Sequence, residues 1–107
     1  MKNYFDKSFI SPNAADLEKC SMLMSYVEEM APSNSYVSAR FNIMPGGFFQ
    51  SIIVINSECG RFYSEGHSRS IFKSLKKAQS SILKSIQSWK SDRFRSPEVD
   101  RRTKDTL

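Results

Sequence analysis

Residues 35–44, SYVSARFNIM, followed by PGG at 45–47 and FFQSIIVIN at 48–56, decide the fold. From Ser35 to Met44 the apolar side chains fall on every second position. Val37, Ala39, Phe41 and Ile43 face one way, and Tyr36, Ser38, Arg40 and Asn42 the other, which is the pattern of a half-buried strand. Pro45-Gly46-Gly47 is turn chemistry, and Phe48 to Asn56 is the β-branched and aromatic run of a hairpin partner. Asn56-Ser57-Glu58-Cys59-Gly60 turns the chain again, into a short strand from Arg61 to Glu65. Three antiparallel strands are expected.

Before this hairpin, Ser11-Pro12-Asn13 reads as a helix opening. Ser11 serves as the cap, Pro12 suits the first helical position, and Asp16 and Glu18 favour the positive end of the helix dipole. The helix is expected from Pro12 to Met30, with an apolar stripe of Leu17, Cys20, Leu23/Met24, Val27 and Met30/Ala31, and Pro32 stops it. A fourth strand before it, between Asn3 and Phe9, is suggested by Tyr4, Phe5 and Phe9, although the alternation there is poor. After the third strand a long helix is expected from Ser68, as cap, to Arg93, free of Gly and Pro, with Phe72, Leu75, Ala78/Gln79, Ile82, Ile86 and Trp89 on one side. The order (β)-α-β-β-β-α gives an α+β domain: an antiparallel sheet with two helices packed on one face. Residues 1–93 are read as one domain and 94–107 as a flexible basic tail.

The 107 residues carry a net charge of +5, unevenly placed. Residues 1–66 hold five basic against seven acidic side chains (−2), whereas residues 67–107 hold eleven against four (+7). Such segregation makes a local positive field that attracts polyanions such as nucleic acid, and an acidic membrane surface would answer the same charge. No apolar run approaches the roughly 18 residues that span a bilayer, and residues 1–10 lack the apolar stretch of a secretory signal, so a cytoplasmic protein without a membrane partner is expected.

The second helix is the informative element. Between His67 and Lys90 no acidic residue occurs, while Arg69, Lys73, Lys76, Lys77, Lys84 and Lys90 do. Lys73 and Lys77 stand four apart, a like-charge spacing that costs roughly a few tenths of a kcal/mol in an isolated helix. A phosphate backbone along the helix would relieve that repulsion by ion pairing and counterion release. Interleaved serines at 70, 74, 80, 81, 85 and 88 add hydroxyl donors for phosphate oxygens. The plainer alternative is a solubilising basic face. Trp89 is read as an anchor of the helix end, the alternative being a base-stacking side chain.

Catalysis is not expected. His67 is the sole histidine, with Glu65 as its one nearby carboxylate. Gly46-Gly47, Gly60 and Gly66 form neither a P-loop nor a dinucleotide fingerprint. Cys20 and Cys59 stand far apart, without a CxxC or Cys/His cluster, and read as plain thiols. No cofactor, metal or small-molecule substrate is therefore expected.

The same element order, with Phe62-Tyr63-Ser64-Glu65-Gly66 leading into Ile71-Phe72-Lys73-Ser74-Leu75 and on through Ile82-Leu83-Lys84-Ser85-Ile86-Gln87-Ser88-Trp89-Lys90, resembles the ribosome hibernation promoting factor family, also called ribosome-associated inhibitors or sigma-54 modulation proteins. The resemblance covers Leu17 to Arg93. Where that family usually carries acidic residues in mid-helix, this chain has Lys76 and Ser80. The resemblance implies a non-catalytic stress-response protein that binds the small ribosomal subunit and its RNA and inhibits translation. Lys73, Lys76, Lys77, Lys84 and Lys90 are then the expected phosphate contacts, with Arg69 and Arg93 beside them and Arg40 and Arg61 contributing from the sheet. A second resemblance, to double-stranded RNA-binding domains, rests on the same order and on Gly66-His67-Ser68-Arg69 as a helix start. A protein-interaction module using the Met-rich first helix or the open sheet face is the third reading.

Overall fold

The computed structural model describes Tyr4, Phe5 and residues 12–94, the side chains of 92–94 excepted. Its elements are α1 (Ala14–Met30), β1 (Tyr36–Met44), β2 (Phe48–Ser57), β3 (Gly60–Ser68) and α2 (Ile71–Phe94). The strands form one antiparallel sheet in the order β1-β2-β3. Its register sets Val37 opposite Ile55 and Ala39 opposite Ile53 on one side, and Ile53 opposite Ser64 on the other. The fold is the expected α+β arrangement. Odd positions of β1 and β2 and even positions of β3 therefore share one face, and both helices lie there. Val37, Ala39, Phe41, Ile53 and Ile55 pack into one core with Cys20, Met24 and Val27 of α1 and Leu75, Ala78, Ile82 and Ile86 of α2.

Three boundaries differ from the sequence expectation, each for a local reason. Asn13, not Ser11, caps α1: its side-chain oxygen accepts from the Asp16 amide at 2.8 Å, and Pro12 stands before the cap. Ser11 lies outside the described residues. β3 does not stop at Glu65 but runs to Ser68, because Gly66 pairs with Ser51 and His67 with Gln50. Consequently α2 starts at Ile71, not after Ser68. Ser70 takes the capping role, its hydroxyl accepting from the Lys73 amide at 3.4 Å and its carbonyl from the Ser74 amide at 2.9 Å. The expected Asn3–Phe9 strand is described only at Tyr4 and Phe5. There the Tyr4 carbonyl accepts from the Ala39 amide at 2.8 Å, and Phe5 makes a parallel bridge to Ala39. The expected tail falls outside the described residues from position 95 onward.

Small residues let α2 lie close against the sheet. A Cβ added to Gly66 would stand 2.3 Å from the Ser74 carbonyl oxygen and 2.6 Å from the Ala78 nitrogen, so the helix backbone occupies the space a side chain would need. Around that contact the buried polar groups are paired. The Ser64 hydroxyl donates to the Ala78 carbonyl at 2.8 Å, and the Ser51 and Ser74 hydroxyls meet in the core. Ser74 gives its single proton to the Ile71 carbonyl at 2.7 Å, so Ser51 is the donor between the two. Farther along, Trp89 meets Phe62 edge to face at 6.1 Å, which is the anchoring role expected of it. α1 is tied to α2 by the Gln79 amide, which donates to the Leu23 carbonyl at 3.1 Å.

Candidate nucleic-acid interface

With Ile82 and Ile86 turned into the core, the geometry of α2 decides where its lysines point. At about 100° per residue, Lys73, Lys77 and Lys84 fall within a wedge of about 40° directly opposite Ile82, spaced by about 6 and 10 Å along the axis. All three are exposed. Lys76 is exposed about 60° to one side of Lys73, towards α1. Lys90 is half-buried, at the rim of a shallow cleft of about 190 Å³ that Tyr26, Met30, Leu83, Ile86 and Gln87 also line. Arg93 sits in the last turn of α2. Ser80, Gln87 and Ser88 are exposed between the lysines.

None of the five lysines forms an ion pair with a described residue. Lys77 is the most constrained of them, its ammonium donating to the His67 carbonyl at 3.1 Å, where it also covers the end of β3. On α1, Glu18 and Glu29 are exposed and fall opposite the buried Cys20, and neither forms an ion pair with the lysines of α2. The outcome is a basic rail on the outer surface of the helical layer.

The other three arginines of the set stand elsewhere. Arg69 precedes the helix, so it does not extend the rail. Its guanidinium stacks over the Phe48 ring at 4.5 Å and donates to the Gly46 carbonyl at 3.3 Å, at the β1–β2 turn. Arg40 and Arg61 belong to the sheet face that carries no helix, Arg40 half-buried opposite Ile52 and Arg61 exposed opposite Asn56. The sequence-derived set therefore separates into a helical rail and a sheet group on opposite sides of the domain.

Sequence reasoning did not find the polar network on that open face. The Asn42 amide donates to the Gln50 oxygen at 3.0 Å, Gln50 donates to Glu65 at 3.1 Å, and the Tyr63 hydroxyl donates to the other Glu65 oxygen at 3.0 Å. The donations from Gln50 and Tyr63 hold the Glu65 carboxyl below the usual glutamate range. The same bond to Glu65 raises the Tyr63 phenol. His67 is exposed, 3.5 Å from Glu65. Only the strand register brings these residues together, and register is not written in the periodicity of one strand. Among the described residues no group of three or more His, Cys, Asp or Glu is placed to hold a metal, and no helix is long and apolar enough to cross a membrane.

The fold and the rail define the class: an α+β domain with two helices on one face of an antiparallel sheet and a lysine-rich surface helix. In fold it is similar to the crystal structure of the Thermus thermophilus Protein Y N-terminal domain, with a TM-score of 0.64 over 83% of this chain and 99% of that one, at 9% identity. The sequence itself matches no protein-family model and no curated relative.

Proposed function

We propose that this chain is a ribosome-associated factor of the hibernation type, holding small-subunit ribosomal RNA by the outer face of α2. The observation that carries the reading is the rail of Lys73, Lys77 and Lys84, free of ion pairs to the described residues and presented by a long helix. A protein that needed the helix only for stability would gain from carboxylates at four-residue spacing, and α2 has none between Ile71 and Ser91. Likeness in fold to the Protein Y domain, which falls in the hibernation and sigma-54 modulation family, supports the same reading, as does the family resemblance of the sequence. Binding works here by charge and position, without a chemical step. Lysines along one line meet successive phosphates, counterions leave, and the RNA is held in a salt-dependent manner. The duplex-RNA alternative needs Gly66-His67-Ser68-Arg69 as a helix start, yet Gly66 to Ser68 are strand and Arg69 lies against Phe48.

Co-sedimentation with purified small ribosomal subunits across a salt series tests the proposal. Wild-type protein is expected in the ribosomal peak near stoichiometry at low salt and released as salt rises. Lys73→Glu/Lys77→Glu/Lys84→Glu should be absent from it. Since each lost phosphate contact lowers the salt slope by about one, single Lys→Gln variants at 73 and 84 should flatten it measurably. A triple variant that sediments as the wild type would overturn the rail as the contact surface.

A further inference from the structure

The open face of the sheet carries exposed aromatic rings that the rail does not use. Tyr36 is 69% exposed and Tyr63 is 50% exposed, values that are high for residues within strands. Tyr63 is also held in place. Residues 63 and 65 lie on the same side of β3, so a bond from the Tyr63 hydroxyl to Glu65 lays the ring along the strand with one face towards solvent. Glu65 is in turn fixed by Gln50 of β2, and Gln50 by Asn42 of β1, so the anchor reaches across all three strands. Beneath this layer Ile52 and Val54 are only 5% and 8% exposed, with Arg40 and Glu65 flanking the first and Ser38 and Tyr63 the second. The face is therefore a dry floor tiled by an immobilised ring.

Its charge suits one kind of occupant. Arg61 stands two residues from Tyr63 on the same side of β3, and Arg40 lies one row away on β1. Among the described residues the one strand carboxylate on this face, Glu65, is committed to Tyr63 and Gln50. A stackable ring with an exposed guanidinium two residues along the same strand face matches an unpaired nucleotide, whose base has a flat face and whose backbone is anionic. Duplex RNA offers no free base face and would gain nothing from Tyr63.

We propose that the open sheet face is a second RNA-contact surface, specific for single-stranded segments, with an unpaired base stacked on Tyr63, Tyr36 available to a second base, and Arg61 on the backbone. It rests on the reading of the chain as RNA-binding but uses none of the α2 lysines. As the two surfaces lie on opposite sides of the domain, one molecule can hold a structured RNA on the rail and a single strand on the sheet together.

The test is fluorescence anisotropy of a labelled ten-nucleotide oligouridylate and a labelled twenty-base-pair RNA duplex, against wild type, Tyr63→Ala, Tyr63→Phe and Lys73→Glu/Lys77→Glu/Lys84→Glu. Circular dichroism establishes that each variant is folded. Tyr63→Ala should weaken the oligouridylate about tenfold, the scale of one lost stack, and leave the duplex unchanged. Tyr63→Phe keeps the ring and should retain most of the affinity. The lysine variant should lose the duplex and keep Tyr63-dependent binding of the single strand. Replacement of the oligomer's uridines by 5-iodouridine and irradiation should crosslink to Tyr63 or Tyr36. An unchanged oligouridylate affinity in Tyr63→Ala, an equal loss for both RNAs, or a concentration-dependent dimer in place of RNA binding would each overturn the sheet proposal. Loss of the duplex with the single strand retained leaves it standing, whatever becomes of the rail.

Discussion

Gly66→Ala is the sharpest structural perturbation this molecule offers, because the atoms in the way are backbone. The added methyl would lie 2.3 Å from the Ser74 oxygen and 2.6 Å from the Ala78 nitrogen, and no rotamer change relieves either contact. Restoring an ordinary separation requires α2 to withdraw from β3 by about 1 Å, a gap that forfeits a quarter to a half of the dispersion energy along the contact. Withdrawal also stretches the 2.8 Å bond from Ser64 to the Ala78 carbonyl beyond hydrogen-bonding range, at about 1 kcal/mol. With overpacking itself costing about 1–3 kcal/mol, the total is about 3 kcal/mol, a large share of the stability of a small domain. Urea unfolding followed by circular dichroism should show the midpoint lowered by about 2 M for a slope near 1.5 kcal/mol/M. Adding Ser74→Ala or Ala78→Gly should not rescue it, since neither removes the clashing atom. Gly60→Ala serves as a contrast: nothing lies within 4 Å of its added methyl, and the cost comes from φ +134 alone. A Gly66→Ala protein within about 0.5 kcal/mol of wild type would refute the close approach of α2 to the sheet.

The two core serines should respond unequally: Ser51→Ala leaves Ser74 still donating to Ile71 and costs about 1 kcal/mol, whereas Ser74→Ala strands the Ser51 proton and costs more, by the same urea assay. Burial, with a smaller contribution from the Asp16 carboxylate, pushes the Cys20 thiol up to about 11, so the native protein at pH 8 should titrate Cys59 alone with a thiol reagent, and the urea-unfolded protein both cysteines. Because its folded value is depressed, Glu65 contributes stability above the ordinary glutamate range that is lost as pH falls through the lowered value; the stability difference between wild type and Glu65→Gln should therefore be larger at pH 7 than at pH 3.

What the sequence made legible follows from which interactions are periodic. β1 and β2 were readable because Val37-Ala39-Phe41 alternate against a core and Phe48–Asn56 is rich in β-branched and aromatic residues. The lysine rail was readable for the same reason, since a helical stripe of Leu75, Ala78, Ile82 and Ile86 fixes where Lys73, Lys77 and Lys84 must point. The failures cluster at Gly66. In sequence, the strand is read as ending at Glu65 and the helix as starting after Gly66 with Ser68 as its cap, which ended β3 too early and started α2 too soon. In the structure that glycine is a strand residue whose missing side chain admits a helix backbone. A glycine kept for close approach and one kept for a turn are the same letter. Only the helix that arrives later in the chain distinguishes them. The shift has a functional consequence, because moving the helix start past Arg69 takes that residue off the rail and sets it against Phe48. It also adds His67 to the open face and lets Lys77 cap the end of β3. The residue that brings α2 close enough to be rigid thus also decides which basic groups stand on it, so the packing and the charge pattern of the proposed interface have a common origin in Gly66.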